Sequence, residues 1–213
     1  MKNNTVLLVD DHPILRKGIK DLIELEDNIS VVGEAANGDD AVKEAVQKSP
    51  SLILLDLRLK GMSGLDVLKA LRNSGVDSRV VIFSGSDDED DVIQALRAGA
   101  DGFLSKDLGF DDLIVNIRRA CEGKMVFSDD LLHIIATAFR KEKLNKKSDV
   151  SHLTSREKQT LKCIANGMSN KKIAQELDIA LPTVKVHVKH VYKKLGLTSR
   201  VEAAVWVLDK QIS

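Results

Sequence analysis

Ser51-Leu-Ile-Leu-Leu-Asp-Leu-Arg-Leu59 is an apolar run built around one carboxylate, Asp56. Leu52, Ile53, Leu54 and Leu55 follow one another without polar alternation. That pattern suits a strand buried on both faces of a parallel sheet. Asp56 then stands at the strand's C-terminal end, the edge where open α/β sheets hold ligands. A carboxylate there is a metal ligand, a nucleophile or a charged strand end, and the flanking sequence must decide.

Outward from this strand the chain alternates. Thr5–Val9 reads as a strand followed at once by Asp10 and Asp11, and Pro13 opens a helix carrying Ile14, Leu15, Ile19, Leu22 and Ile23. Val31 and Val32 begin a second strand, and Ala41, Val42, Ala45 and Val46 form the next helical face. After Asp56, the pairs are Leu65–Leu71 with strand Arg79–Phe83, then Val92–Leu96 with Gly102–Leu104, then a helix over Leu113–Ala120. Such β/α alternation predicts a parallel sheet with helices on both faces, and right-handed crossovers leave few topologies, one being the flavodoxin-like (βα)5 form with strand order 2-1-3-4-5. In that order, strands 1 and 3 are neighbours, so Asp10, Asp11 and Asp56 meet at one edge. Lys106 follows the fifth strand and Ser84 ends the fourth. Clustered carboxylates repel unless a cation joins them, and hard oxygen ligands suit Mg²⁺. Lys106 is placed to neutralise an incoming phosphoryl group, and Ser84 offers it a hydroxyl.

These residues carry a resemblance. Val-Asp-Asp-His-Pro13, Leu-Leu-Asp-Leu57, Gly-Met-Ser-Gly-Leu65, Ser84 and Lys106 resemble the receiver domain of bacterial response regulators over roughly residues 4–122. The resemblance implies that Asp56 accepts a phosphoryl group from a sensor histidine kinase. It implies that Asp10, Asp11, Asp56 and the Arg58 backbone carbonyl hold Mg²⁺, that Ser84 and Lys106 bind phosphoryl oxygens, and that Ser84 and Phe103 form the switch. Lys60 and Asp107 stand where many relatives have Pro, and Phe103 where Tyr is common. None of these departures removes a chemical group from the phosphorylation site.

The remaining chain differs in kind. Its formal net charge of zero divides into −7 over residues 1–127, +2 over 128–148 and +5 over 149–213. An acidic front and a basic back point to two domains with different partners. Ser128 is placed to cap a short amphipathic helix with Leu131, Leu132, Ile135 and Phe139, followed by the polar tract Arg140–Lys147. The expected division is a receiver at 1–122, a linker at 123–150 and a helical domain at 151–213. In the last, Thr154-x-x-Glu157 has the form of a capping box. Ser169 opens a second helix, Pro182 a third that Gly196 stops, and Ser199 a fourth. Residues 169–195 fit a helix-turn-helix whose second helix carries Lys185, His187, Lys189, His190, Lys193 and Lys194 outside its apolar stripe.

Leu-Thr-Ser-Arg-Glu157, Gly-Met-Ser-Asn-Lys-Lys-Ile-Ala174, Thr-Val-Lys-Val-His-Val-Lys189 and Lys-Leu-Gly196 resemble the LuxR-type DNA-binding domain. Receiver plus this domain resembles the NarL/FixJ family. Val184–His190 and Ser199–Ala204 are nearest its nitrate/nitrite regulators, and Lys60–Asp66 leans toward the NarP type. The resemblance implies that Lys185, Val186 and Lys189 face bases of double-stranded DNA, with Asn170, Lys171 and Thr183 near phosphates. Val205, Trp206 and Leu208 would lie on a helix that pairs two DNA-binding domains in a homodimer on DNA. RNA polymerase is a further candidate partner. Ala180 stands where a Ser or Thr cap is usual, a loss of ~1 kcal/mol at that helix start.

Two rival readings remain open. One is a metal-dependent phosphatase with Asp56 as nucleophile, but Arg58 stands where such an enzyme would carry a second Asp as general acid. The other is a constitutive DNA-binding regulator with a merely dimerising receiver. The expectation is therefore a regulator and not an enzyme. Cys121 and Cys163 form no CxxC pattern and suit buried thiols in a reducing compartment. No apolar run approaches the ~18 residues of a membrane span, so a cytoplasmic protein without a membrane partner is expected.

Overall fold

The computed structural model describes residues 4–85, 88–128, 131, 134–135 and 150–210. Six parallel strands form one sheet in the order β2-β1-β3-β4-β5-β6. They are β1 (Asn4–Val9), β2 (Ile29–Ala35), β3 (Leu52–Leu55), β4 (Arg79–Ser84), β5 (Gly102–Ser105) and β6 (Val126–Phe127). The helices between them are α1 (Pro13–Ile23), α2 (Gly38–Lys48), α3 (Gly64–Asn73), α4 (Glu89–Arg97) and α5 (Phe110–Cys121).

The apolar run at β3 behaves as its composition demands. Leu52 and Leu54 join an apolar cluster with Ile19 and Ile23 of α1 and Leu113 and Ile117 of α5. Ile53 and Leu55 face the other way, into Ala41 and Ala45 of α2, Leu68 and Leu71 of α3, and Val92 and Leu96 of α4. All four are 3% exposed or less, and filling both faces is the main favourable term holding the sheet.

The sixth strand was not expected. Val126–Phe127 falls in the stretch read as linker, yet it pairs in parallel with Gly102–Phe103. A Cβ at Gly102 would lie 2.4 Å from the Val126 carbonyl oxygen, so only glycine admits this neighbour. Ser128 then turns its hydroxyl to the Ser105 amide at 3.0 Å. Leu131 and Ile135 are buried in the sheet's α2–α4 side cluster. Leu132, Phe139 and the Arg140–Lys147 tract lie outside the described residues.

The C-terminal part holds α6 (Ser155–Ala165), α7 (Asn170–Glu176), α8 (Leu181–Leu195) and α9 (Arg200–Lys210). The capping box forms at Thr154 and Glu157, and Ser169 caps α7. Pro182 sits in the first turn of α8, where its missing N–H is harmless, and Gly196 ends the helix with φ 65°. Ala180 provides no side-chain cap, as its methyl requires. Ser199 Oγ accepts from the Glu202 amide at 3.1 Å. Leu161, Ile164, Ile173, Val184, Val191, Leu195 and Trp206 form a separate core.

Candidate phosphoacceptor site and DNA-facing helix

The acidic residues converge because β1 and β3 are adjacent and in register, Val9 opposite Leu55. The Asp56 amide donates to the Val9 carbonyl at 2.9 Å, extending the ladder to the carboxylate itself. Asp10 is 4% and Asp56 2% exposed. Behind Asp56 the chain is pressed close: a Cβ at Gly64 would meet the Asp56 carbonyl oxygen at 2.1 Å. Gly64 thus lets α3 start directly against the site.

One lysine bridges the cluster. Lys106 Nζ lies 2.6 Å from Asp56 Oδ2 and 2.8 Å from Asp10 Oδ2. Burial opposes its charge, but the two carboxylates outweigh this and hold its pKa above the ordinary lysine value. The Lys106 amide donates to the Ser84 carbonyl at 2.9 Å, which fixes the ends of β4 and β5 together. Arg58 N donates to Asp56 Oδ1 at 3.1 Å, so the loop after β3 folds back onto the carboxylate.

His12 was not assigned a role from sequence. Its amide and Nδ1 approach Asp10 Oδ1 at 2.7 and 2.9 Å, and Nδ1 lies 3.0 Å from Asp11 Oδ1 and 4.0 Å from Asp56 Oδ2. Lys60 Nζ stands 3.7 Å from Asp11 Oδ2. One ligand atom from each of Asp10, Asp11, His12 and Asp56 fits within a 4.8 Å group. Asp10 Oδ2 and Asp11 Oδ1 are buried without a hydrogen-bond partner. Each nevertheless has a cationic or imidazole nitrogen close by, Lys106 Nζ at 2.8 Å from Asp10 Oδ2 and His12 Nδ1 at 3.0 Å from Asp11 Oδ1. Buried acceptors of this kind are costly, and the donor set fits a hard divalent cation.

Ser84 and Phe103 are both fully buried. Phe103 already points into the core, in the same cluster as Ile82, Val92 and Leu131. That cluster also includes Val201 of α9, with Val205 packed against it. The final helix therefore rests on the receiver side as well as on its own domain, and it packs on α4.

The contacts between the two parts cluster at the N-terminal ends of the strands, opposite Asp56. Arg79, first residue of β4, donates from Nη1 to the Gly167 carbonyl at 3.1 Å and from Nη2 to the Lys124 carbonyl at 2.8 Å. Lys172 Nζ donates to the Glu122 carbonyl. Lys185 of α8 forms an ion pair with Asp77 at 2.9 Å. Val186 remains 50% exposed, and Thr183, Lys171 and Lys189 are also exposed. The receiver thus grips one side of α8 and leaves much of its outer face open. Asn170 Oδ1 lies 3.4 Å from Arg200 Nη1.

Lys194, Val205 and Trp206 have neighbours that helical spacing alone does not reveal. Lys194 does not face outward alone: it reaches Glu157 at 2.7 Å. That ammonium, helped by the Thr154 amide, overcomes burial and holds the Glu157 carboxyl below its ordinary value. Trp206 is buried in the C-terminal core and Val205 packs toward the receiver. The Leu208 side chain lies outside the described residues. Burial pushes the Cys121 thiol up to about 12 and raises that of Cys163, which fits unreactive structural thiols.

Comparison with known proteins agrees with this architecture. Residues 6–118 match the family "Response regulator receiver domain" and residues 151–207 the family "Bacterial regulatory proteins, luxR family". The chain is 49% identical over 208 residues to the nitrate/nitrite response regulator protein NarL of Escherichia coli strain K12, covering 98% of this chain and 96% of that protein. It is 41% identical over 207 residues to NarP of the same strain, covering 97% and 95%. Whole-chain identity is thus higher to NarL than to NarP. A crystal structure of a LuxR-family two-component response regulator from Aurantimonas sp. SI85-9A1 matches with a TM-score of 0.60 at 29% identity, covering 68% of this chain and all of that one.

Proposed function

The chain belongs to the response regulators that join a receiver to a luxR-family DNA-binding domain, and we propose that Asp56 is its phosphoacceptor and that phosphorylation loosens the grip on α8. The observation that carries this is the setting of Asp56: buried, bonded to Lys106 and grouped with Asp10 and Asp11. An Asp56 oxygen attacks the phosphorus of a kinase phosphohistidine. A P–O bond forms as the P–N bond breaks, and the leaving imidazole keeps the electron pair. Lys106 stabilises charge on the phosphoryl oxygens, and Ser84 offers a hydroxyl to them. Asp10, Asp11, Asp56 and the Arg58 carbonyl are the proposed Mg²⁺ holders. When bound, the ion supplies further neutralisation of the phosphoryl charge.

The signal then has to cross the sheet. Phosphorylation adds about −1.5 to −2 charge beside Ser84 and Lys106. Ser84 and Phe103 are the proposed switch pair. Phe103 shares its cluster with Val201, so its repacking bears directly on α9. Once α9 lifts, the Lys185–Asp77 pair and the Arg79 bridges lose their support. Lys185, Val186 and Lys189 then meet bases, and Asn170, Lys171 and Thr183 meet phosphates. Val205 is then freed from the receiver, and the helix that carries it with Trp206 and Leu208 is the proposed seam between two DNA-binding domains. RNA polymerase contact is a further element of this reading, as are a cytoplasmic location and the division 1–122, 123–150 and 151–213. Among the described residues no helix is long and apolar enough to cross a membrane.

From the names of its NarL and NarP relatives we carry over control of nitrate/nitrite-responsive genes. Genome-wide binding with and without the cognate kinase tests that assignment. The phosphoacceptor assignment is tested with acetyl phosphate and Mg²⁺. The expected label is labile to hydroxylamine and absent from Asp56→Asn. Label that resists hydroxylamine, or survives the substitution, places the phosphoryl group elsewhere. Steady turnover of phosphate esters would instead favour a phosphatase.

A further inference from the structure

Between the receiver and the helix-turn-helix lies a cavity of about 360 Å³, walled on one side by Arg72, Arg79 and Asp101 and on the other by Lys185, Tyr192 and Arg200. Its charges do not balance. Asp77, also at the wall, is taken by Lys185 at 2.9 Å. Asp101 is the remaining carboxylate beside three guanidinium groups, of which Arg72 also donates to the Gly99 and Ser78 carbonyls and Arg79 to those of Gly167 and Lys124. Asp101 lies 2.9 Å from Arg72 Nη2 and 3.8 Å from Arg79 Nη1, and it also accepts from the Val80 amide at 2.9 Å. Burial opposes its ionisation, but Arg79, Arg72 and Arg200 together hold it below the ordinary carboxylate range.

Arg200 is left over. Its Nε and Nη2 are buried with no hydrogen-bond partner, and its Nη1 has only the long 3.4 Å contact to Asn170. Arg79 is 5% exposed, and its Nε is likewise buried and unpartnered. Burial pulls the Arg200 pKa below its ordinary value, with Tyr192 and Asp101 only partly offsetting this. A buried guanidinium lacking acceptors is costly, because its five donors need oxygen lone pairs. The cavity is large enough for a small ligand, and planar guanidinium forks match oxyanions in geometry and charge.

We propose that this interdomain cavity binds a small free oxyanion of phosphate or sulfate size, held by Arg200 with the charge of Arg79 behind it, and completing the charge balance around Asp101. Because both domains wall the cavity, the anion binds the docked arrangement and stabilises it by mass action. Its effect on DNA binding, but not the site itself, rests on the reading that the docked arrangement is the weak DNA binder.

The test titrates sodium sulfate into the full-length unphosphorylated protein by calorimetry, at constant ionic strength against chloride and with chelator present to keep metal from Asp56. One saturable site is expected, with a rise in the thermal midpoint that chloride does not reproduce. Arg200→Gln should weaken binding by about tenfold or more, and Arg200→Lys, which keeps the charge and loses the fork, by less. Absence of a saturable site in the native protein, or equal affinity in Arg200→Gln, overturns the proposal. Operator binding is read in parallel. Sulfate that binds at Arg200 yet leaves operator affinity unchanged keeps the site and overturns the docked-state reading instead.

Discussion

Asp56 and Asp101 are both buried aspartates bordering the same sheet, one after β3 and one before β5, and their surroundings are opposite. Asp56 shares a single lysine with Asp10 and lies beside Asp11. Asp101 faces Arg72 and Arg79 directly and feels Arg200 as well. At the first site negative charge is in excess and two buried oxygens lack hydrogen-bond partners. At the second, positive charge is in excess and the unpartnered atoms are guanidinium nitrogens. The difference separates two uses of a buried carboxylate. Crowded with its own kind, it is set up to take a cation and a phosphoryl group. Surrounded by arginines, it is structural and holds together the end of the sheet on which the second domain sits.

The comparison is broken or sharpened most strongly at Asp101. Asp101→Ala leaves arginines buried without a counter-charge and is expected to cost about 3–5 kcal/mol in urea unfolding of the full chain. A loss below about 1 kcal/mol would mean that the arginines are solvated or paired otherwise, and the contrast would fail. The acidic site should respond in the opposite direction. Asp11→Asn relieves crowding around an unpartnered oxygen and is expected to stabilise the metal-free protein by about 0.5–2 kcal/mol while Mg²⁺-dependent phosphorylation falls. Destabilisation there would show that Asp11 is held by His12 and Lys60 more than it is repelled.

Glu157 provides an intermediate case, one buried carboxylate with Lys194 at 2.7 Å and the His190 ring at 3.7 Å. Its folded pKa is lowered from 4.5 by Lys194 and the Thr154 cap. Its contribution is therefore fully present above pH 4.5 and is lost as the pH falls through the lower folded value. Acid unfolding followed in Lys194→Met should show a shallower stability loss over that window than the native protein, and identical profiles would remove Glu157 from the account. The smallest effect is expected at the half-exposed Lys185–Asp77 pair. Asp77→Ala should cost only about 0.2–1 kcal/mol of docking and raise operator affinity of the unphosphorylated protein a few-fold. A much larger rise would make this pair, and not the Arg79 and α9 contacts, the main restraint.

Legibility in the sequence followed locality. The Leu52–Leu55 run, the Asp10–Asp11 pair and the Thr154–Glu157 box each announce themselves within a few residues, because strand burial and capping are local patterns. Chirality left only a few topologies, and in one of them, order 2-1-3-4-5, Asp10 and Asp56 come together without any coordinate. β6 was missed because two residues carry no periodicity; the only local trace is Gly102, which admits Val126. The Arg72–Asp101–Arg79–Arg200 group was invisible for a different reason. Its members come from α3, the starts of β5 and β4, and α9, and only the tertiary fold makes them neighbours. Helical spacing places Lys194 outside the apolar stripe without revealing that Glu157 lies 2.7 Å away.

The central claim is that charge added at Asp56 is felt at the far end of the sheet. It is tested most directly by the operator affinity of the full-length protein before and after acetyl phosphate treatment, with Asp56→Asn treated identically. Coupling of ordinary allosteric size predicts that the native protein tightens by about 5- to 150-fold while Asp56→Asn does not change. Equal affinity before and after full phosphorylation, or the same tightening in Asp56→Asn, would contradict it.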